Sequence, residues 1–483
     1  MGKMQIQRKN ITATARFLTE AWNIGVFGTV WIMFYNKYAF RSNWLFGEIL
    51  TLLLFFIIYN SLCNLYKAFR IASSSIGETV FSQMIAFGLA DVILYAECCL
   101  IYNRYINILP GMVSAIVQII GTSVIITAAK RYFMNHILPR KTILLFGEKV
   151  QILEAEAFRD RILKKYAHLF SIIYMDCESK DITKHMKECE TVILYEVSTD
   201  TRSKMLKTCL REQKNIYLTP NVEDIILQGC SVKHLLDTPL LKYDYIYQRV
   251  HYCFTKRTFD IVLSLVMIVL TFPLMLLTAA AIKLEDSGPV FYFQKRCSRN
   301  GKVFQIIKFR SMIPDAEKKG VIPCKENDDR VTKVGKFIRA VRIDELPQLF
   351  NILRGDMSFV GPRPERVEHV EQYMQEVPGF GYRMKVKGGL TGYAQIFGKY
   401  NTSAYDKLRL DMMYIENQSL ILDLKIIMLT IRTIFQPEST EGFSEEESKE
   451  INGKIKEKQI ISMKTGSVGS RLIAERDGMI KQG

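Results

Sequence analysis

The sequence predicts a membrane protein of mixed α and α/β class. It reads as a four-helix transmembrane bundle, a degenerate Rossmann-like domain, and a polar C-terminal domain led in by an apolar helix that turns back inside the membrane. Three observations predict this. Four apolar stretches fill the first quarter of the 483 residues, at about 17–36, 44–66, 79–102 and 106–129. Residues 141–240 then alternate strand-length apolar runs with helical patterns. A fifth apolar run, 261–282, carries Pro273 at its middle.

The four N-terminal stretches have the length a membrane helix needs, roughly 20 mostly apolar residues. Residues 49–66 and 105–129 contain no charge. Arg16 and Glu20 shorten the uncharged part of the first stretch, and Asp91 and Glu97 fall within the third. Intramembrane acids are costly and often functional. Nothing nearby completes a catalytic set, so Glu97 is expected to reach an interface and Asp91 to find a partner within the bundle. Lys3, Arg8, Lys9 and Arg16 precede the first span, Lys67 and Arg70 lie in the middle loop, and Lys130, Arg131, Arg140 and Lys141 follow the fourth. The other two loops hold only Lys37, Arg41 and Arg104. The positive-inside rule therefore puts both ends of the bundle, residues 1–135, in the cytoplasm.

In 136–245 the runs KTILLFG, FSIIYMD, TVILYEV and NIYLTP read as strands, and ILEAEAFRDRILKKY reads as a helix. Alternating strands and helices predict a doubly wound parallel sheet. Dinucleotide binding wants G-x-G-x-x-G after the first strand, and only Gly147 stands there, so a scaffold or regulatory role is expected instead of a cofactor site.

The apolar run 261–282 is long enough to span, but an interior proline removes a helix hydrogen bond and bends or breaks the helix. A fifth full span would also carry the basic segment beyond it outside the cell, away from cytosolic nucleotides. A helix over 257–283 that enters, breaks at Pro273 and leaves on the same side avoids this conflict; a proline-kinked span is the alternative. Lys256 and Arg257 before it and Lys283 after it suit a shared cytoplasmic side. After Pro437 the chain is charged and poor in aromatics, so 437–483 is expected to be a mobile tail.

Charge and cysteine usage narrow the function classes. Lys and Arg number 65 against 49 Asp and Glu, a net charge of +16, while apolar residues make up 48%. A basic excess fits nucleic acid, anionic lipid or phosphorylated substrates. The apolar runs favour membrane lipids and phosphorylated substrates, and no zinc-finger spacing or RNA-binding signature supports a nucleic-acid partner. The ten cysteines form no C-x-x-C pair, which argues against a zinc site or disulfide framework. The polar N-terminus lacks the marks of a cleaved signal peptide.

The most informative stretch is RVTKVGKFIRAVRIDELPQLFNILRGDMSFVGPRPE, Arg330 to Glu365. Its adjacent acids, Asp344 and Glu345, lie between arginines, and Pro347 suits the start of the helix LPQLFNIL. A helix N-terminus favours anions. Adjacent residues point in different directions, so one carboxylate can attack phosphorus while the other holds a divalent cation. Taken alone, the pair reads as a helix cap with an ion pair to Arg339 or Arg342. Its context favours chemistry: Lys295, Arg296, Lys308 and Arg310 precede it, Gly361-Pro362-Arg363-Pro364 holds an arginine in a stiff turn, Gly388 to Gly392 forms a loop, and Asp411 and Asp423 follow. Asp328-Asp329 matches the acidic metal motif of many glycosyltransferases, but a solvated turn is the simpler reading.

From about Lys256 to Phe435, within an expected domain of 250–436, the pieces GPVFYFQKR, IIKFRSM, VGKFIR, DELPQLFNILRGDMSFVGPRPE, GLTGYAQI and LDLKI resemble the bacterial sugar transferases, in particular the large monotopic polyprenyl-phosphate hexose-1-phosphate transferases with N-terminal membrane spans. The resemblance implies a re-entrant-helix phosphoglycosyl transferase domain. Its reaction joins a UDP-sugar, glucose or galactose being the expectation, to polyprenyl (undecaprenyl) phosphate with release of UMP, as the first membrane step of exopolysaccharide, capsule or O-antigen synthesis. Carried over, Asp344 is the nucleophile that becomes an aspartyl-phosphosugar, Glu345 holds magnesium, and Arg339 and Arg363 contact phosphate or nucleotide. Asp423 supports the site, and Lys308, Arg310, Lys399 and Asp411 bind substrate. The helix break falls at Pro273. The setting is the bacterial inner membrane with the catalytic domain in the cytoplasm, and a homodimer is compatible with it. Two departures stand out: Gly388 replaces a proline, and Lys399 takes the place of an arginine, which loses bidentate contact. An inactive membrane scaffold or regulator of polysaccharide assembly is the alternative from another class. A metal-dependent glycosyltransferase at Asp328-Asp329, releasing nucleoside diphosphate, is a third.

Overall fold

The computed structural model describes residues 2–35, 45–101, 103–147, 150, 152–167, 169–177, 182–243, 247–314, 328–398 and 402–434. The chain is a mixed helix-and-sheet protein in two compact units, residues 1–219 and 220–483.

The first unit opens with α1 (Gly2–Val30), which continues as a π-helical turn to Tyr35, then α2 (Leu45–Leu65), α3 (Ile76–Ile101) and α4 (Leu109–His136). Each is long and apolar enough to cross a membrane. α1 packs along α4, α4 along α3, and α3 along α2. Small residues allow the close approach: a Cβ on Gly121 would sit 2.0 Å from the Trp22 ring. The centre is aromatic and polar. The Phe27 and Phe55 rings stack at 4.2 Å. Asn23 donates to Tyr59 Oη (3.0 Å) and Thr122 (3.1 Å), and Lys130 at the end of α4 donates to the carbonyls of Ile71, Ala72 and Ser74. The expected neighbour of Asp91 within the bundle is Gln118, whose amide also donates to the Asn23 carbonyl (3.4 Å).

The same unit holds β1 (Arg140–Phe146), α5 (Ile152–Tyr166), β2 (Phe170–Asp176), α6 (Ile182–Glu188), β3 (Thr191–Tyr195), α7 (Thr199–Arg211) and β4 (Asn215–Leu218). The strands form one parallel sheet in the order β2-β1-β3-β4, with Ile143 opposite Ile173 and Val192. Alternate side chains explain the two layers of helix. Ile143, Leu145, Val192 and Leu194 pack with Ile182, Met186 and Cys209 of α6 and α7, while Phe146 faces Ala155 of α5. The four strands and α5 lie where the apolar runs predicted them.

The second unit begins earlier than the residue-245 boundary expected from sequence. α8 (Val222–Gln228) buries Val222 and Ile225 in this unit's core, and a hairpin of β5 (Ser231–Leu235) and β6 (Thr238–Lys242) follows. α9 (Tyr247–Glu285) is one helix of 39 residues with Pro273 inside it. No interruption of helical structure occurs at Pro273, although an interruption was expected; proline withholds a single N–H and the turns on either side persist. Among the described residues α9 is the fifth helix long and apolar enough to cross a membrane. Then come β7 (Phe291–Cys297) and β8 (Val303–Phe309), an antiparallel pair, α10 (Lys333–Ala340), α11 (Gln348–Arg354), β9 (Ser358–Val360), α12 (Val367–Glu376), β10 (Gly389–Thr391), α13 (Tyr393–Phe397), α14 (Ala404–Glu416) and α15 (Leu420–Ile434). The core gathers Leu349, Ile352, Met357, Phe359, Leu408, Met412 and Ile426, with Leu263, Met267 and Ile268 of α9 packed against it.

Candidate active site

The acid pair lies on a short 3-10 turn, Ile343–Glu345, between α10 and α11. Three local features place it there. Thr332 caps α10 by accepting the Gly335 N–H (2.9 Å). Arg342 then takes a left-handed backbone (φ +59), which reverses the chain after α10. Few non-glycine residues adopt this, and such strain collects at functional sites. Pro347 starts α11 with its fixed φ and no N–H to satisfy. Asp344 and Glu345 are therefore buried, at 8% and 9% exposure.

Their environments differ. Glu345 Oε1 accepts from Lys308 Nζ of β8 (2.7 Å) and from Arg363 Nη2 of the Gly-Pro-Arg-Pro turn (3.0 Å). No described group bonds its other oxygen. Burial opposes ionisation of Glu345, but Lys308 and Arg363 outweigh it and hold the carboxyl far below its usual range. Burial pushes Asp344 the other way, the charge of Glu345 adds to that, and Lys308, Arg342 and Arg339 offset it only in part, so Asp344 is raised. No described group hydrogen-bonds the Asp344 carboxylate. Burial likewise lowers Lys308, and Glu345 opposes that shift only in part. The site thus holds a locked anion beside a carboxylate without a partner, at the meeting of β8, α10, α11 and the turn after β9.

Behind it stands a buried support that sequence alone missed. Arg383 is 5% exposed. It donates to the Arg363 carbonyl (3.0 Å) and, through Nε (2.9 Å) and Nη2 (2.7 Å), to Asp411, and it lies 3.7 Å from Glu365. Asp411, expected at the substrate, is spent on this pair and only 1% exposed. Arg310, also expected at phosphate, instead clamps Asp286 and the Pro289 carbonyl at the end of α9, because these groups are its nearest acceptors. Asn351, fully buried, ties α11 to β8 by accepting the Ile307 N–H (3.0 Å) and donating to the Gln305 carbonyl (2.8 Å), which fixes Lys308 opposite Glu345.

Asp423 is fully buried on α15, where Lys256 (2.7 Å), Tyr252 (2.7 Å) and Tyr414 (2.8 Å) all donate to it. It anchors the start of α9. Arg339 lies half-buried on α10, near enough to act on Asp344 by charge. Lys399 lies outside the described residues. Asp328 pairs with Arg330 (2.6 Å) and accepts its backbone N–H (3.0 Å), the arrangement of a structural turn. Among the described residues no group of three or more His, Cys, Asp or Glu is placed to hold a metal.

This arrangement of β8, the acid pair and the Gly-Pro-Arg-Pro turn coincides with a family profile described as "Bacterial sugar transferase", which matches residues 251–437. A UDP-glucose:undecaprenyl-phosphate glucose-1-phosphate transferase of Caulobacter vibrioides is 42% identical over 184 residues, 37% of this chain and 69% of the relative. The chain belongs to the bacterial sugar transferases. Other relatives of this sugar transferase share the same region. A UDP-N-acetylgalactosamine-undecaprenyl-phosphate N-acetylgalactosaminephosphotransferase of Aeromonas hydrophila is 48% identical over 186 residues, 38% of this chain and 44% of its own. A UDP-glucose:undecaprenyl-phosphate glucose-1-phosphate transferase of Klebsiella pneumoniae is 41% identical over 257 residues, 52% of this chain and 53% of its own. The matched region spans about half the length of these last two relatives.

Proposed function

We propose that this sugar transferase moves a sugar-1-phosphate from a UDP-sugar to undecaprenyl phosphate through a covalent intermediate on Asp344. The carrying observation is the division of the acid pair: Lys308 and Arg363 hold Glu345, while Asp344 beside it has no hydrogen-bond partner among the described residues. An Asp344 oxygen attacks the phosphorus that bears the sugar, the bond to the bridging oxygen breaks, and UMP leaves. An oxygen of undecaprenyl phosphate then attacks the same phosphorus, the bond to Asp344 breaks, and the carboxylate is restored. Arg363 faces the phosphate groups, and Lys308 keeps Glu345 ionised. The donor set fits magnesium, since hard oxygens from one or two carboxylates complete its shell with substrate phosphates and water. Glu345 would hold it through the oxygen left open, with Asp344 alongside. When bound, the ion neutralises diphosphate charge.

The proposal extends to topology: α1–α4 as a four-helix transmembrane bundle, and α9 as a helix that enters and leaves on the cytoplasmic side. Bonds at both ends of α9 support the latter. Arg257 donates to the carbonyls of Ile352 (2.7 Å) and Leu353 (2.8 Å), and Glu285 accepts the N–H groups of Lys333 (2.8 Å) and Val334 (3.2 Å). Both partners lie in the single stretch 333–354, which a crossing of a roughly 30 Å hydrocarbon core would have to serve from two sides. The apolar surface between is exposed, with Val269 at 72% and Leu277 at 70%.

The test is UMP release by the protein in lipid nanodiscs with magnesium and undecaprenyl phosphate. UDP-glucose, UDP-galactose and UDP-N-acetylgalactosamine are tried in turn, because the relatives differ in sugar. One sugar should release UMP and label Asp344, and Asp344→Asn should do neither while remaining folded. Turnover retained in that variant would refute the mechanism. No UMP from any sugar nucleotide would favour the scaffold reading.

A further inference from the structure

We propose that Arg257, Arg299 and Lys387 form a binding site for the phosphate headgroup of a lipid at the start of the membrane helix α9. The inference rests on the proposed reaction for its preferred occupant, undecaprenyl phosphate.

Gly355, at the end of α11, has φ +93 and no side chain. A Cβ there would lie 3.2 Å from Arg257 Nη2 and 3.5 Å from Lys387 Nζ. The two cationic heads therefore lie within about 7 Å of each other, where like charges repel. The Gly388 N–H donates to the Ser298 hydroxyl (3.2 Å), which brings Arg299 alongside Lys387; burial first, then the charges of Arg257 and Arg299, push the Lys387 ammonium below its usual range, and Asp260 and Asp356 counter this only partly. Arg257 has a structural task that explains its position, since it caps the last carbonyls of α11. Lys387 has none: no described group makes a hydrogen bond or ion pair with its ammonium. A half-buried cation held against other cations, and with no hydrogen-bond or ion-pair partner among the described residues, fits an anion supplied from outside.

Place selects the kind of anion. Arg257 stands four residues before the apolar run that begins at Ile261, and Phe254 beside it is 75% exposed. A phosphate there would be carried on a lipid. The backbone of Lys387 also abuts the turn that holds Arg363, since a Cβ on Gly361 would lie 2.4 Å from the Lys387 carbonyl. The cations thus back onto the turn whose arginine reaches Glu345, which suits an acceptor waiting beside the acid pair.

Binding is measured by native mass spectrometry on the full chain in phosphatidylcholine nanodiscs titrated with undecaprenyl phosphate, with undecaprenol and phosphatidylglycerol as separate arms. The wild type should bind the phosphate and not the alcohol. Lys387→Gln should weaken binding about tenfold, one charge-assisted contact, and adding Arg299→Gln should weaken it further. Both leave the α11 cap intact, and labelling of Asp344 by UDP-sugar should stay at the wild-type level. Displacement by phosphatidylglycerol would assign the site to lipid phosphates in general; resistance would assign it to the polyprenyl monoester. Wild-type affinity in the double variant, or equal binding of undecaprenol, overturns the proposal. Headgroup binding that survives without any Asp344 labelling would instead refute the covalent mechanism and leave this site standing.

Discussion

Replacing Arg383 with methionine should destabilise the second unit severely and separate folding from site geometry. The guanidinium is 5% exposed and pairs with an Asp411 side chain that is 1% exposed. Burial already pushes the Asp411 carboxyl up, and Arg383 is the main force opposing it. Removing one partner of such a pair strands the other, at about 3–5 kcal/mol. For a unit of this size that lowers the melting temperature by about 6–20 °C. Arg383→Met with Asp411→Leu removes both charges and should regain most of that loss, because apolar replacement of a buried pair is often neutral or better. The double variant still lacks the donor to the Arg363 carbonyl, so UMP release should remain about tenfold down even when the protein is stable, the weight of one hydrogen bond expressed in rate. The assay pairs thermal melting of the detergent-solubilised chain with UMP release. A shift under about 2 °C for Arg383→Met would refute the energetic argument. Wild-type turnover in the double variant would refute the positioning role.

Three further outcomes follow from the same geometry. On the proposed mechanism Asp344 ionises before it attacks, and burial raises it, so its labelling rate should climb with pH through a value above the ordinary aspartate range; Lys308→Met removes a charge that lowers Asp344 and should move that midpoint higher, as pH profiles of single-turnover labelling will show. Glu345 is held low in the folded state, so its stabilising contribution is complete above the unfolded glutamate value of about 4.3 and is lost as pH falls through the depressed folded value; Glu345→Gln should flatten that acid limb in melting curves. Asn351→Leu strands the Ile307 N–H and the Gln305 carbonyl and should cost about 2–4 kcal/mol, read as a lower melting temperature.

Much of this was legible in the sequence, and the reasons are specific. The four parallel strands and α5 announced themselves because each is a contiguous run bounded by polar residues, with a local periodicity. Asp344 and Glu345 could be picked out because adjacency and flanking arginines are properties of a short segment. What stayed hidden depends on contacts far apart in the chain. Arg383 and Asp411, which pair across 28 residues, look separately like a surface base and a substrate acid. Lys256 and Asp423 lie 167 residues apart. Asn351 left one trace, an amide set between Phe350 and Ile352 in a helix, and that pattern marks a buried side chain with a fixed task. Arg310 misled because a basic residue near a phosphate motif and one that clamps the end of a helix have the same composition around them.

These long-range pairs connect the apolar helix α9 to the acid pair. Lys256 and Asp423 fix the start of α9 to α15, Asp260 accepts the Phe359 N–H (3.1 Å) at the strand leading into the Arg363 turn, and Arg310 fixes Asp286 just past its end to β8, which carries Lys308. The two cations that hold Glu345 are therefore each tied, through one strand, to a different end of the same helix. α9 runs as one helix between these two attachments, so its length sets the spacing between those strands. On this geometry the locked anion depends on both ends of α9 staying seated on the domain they lead into.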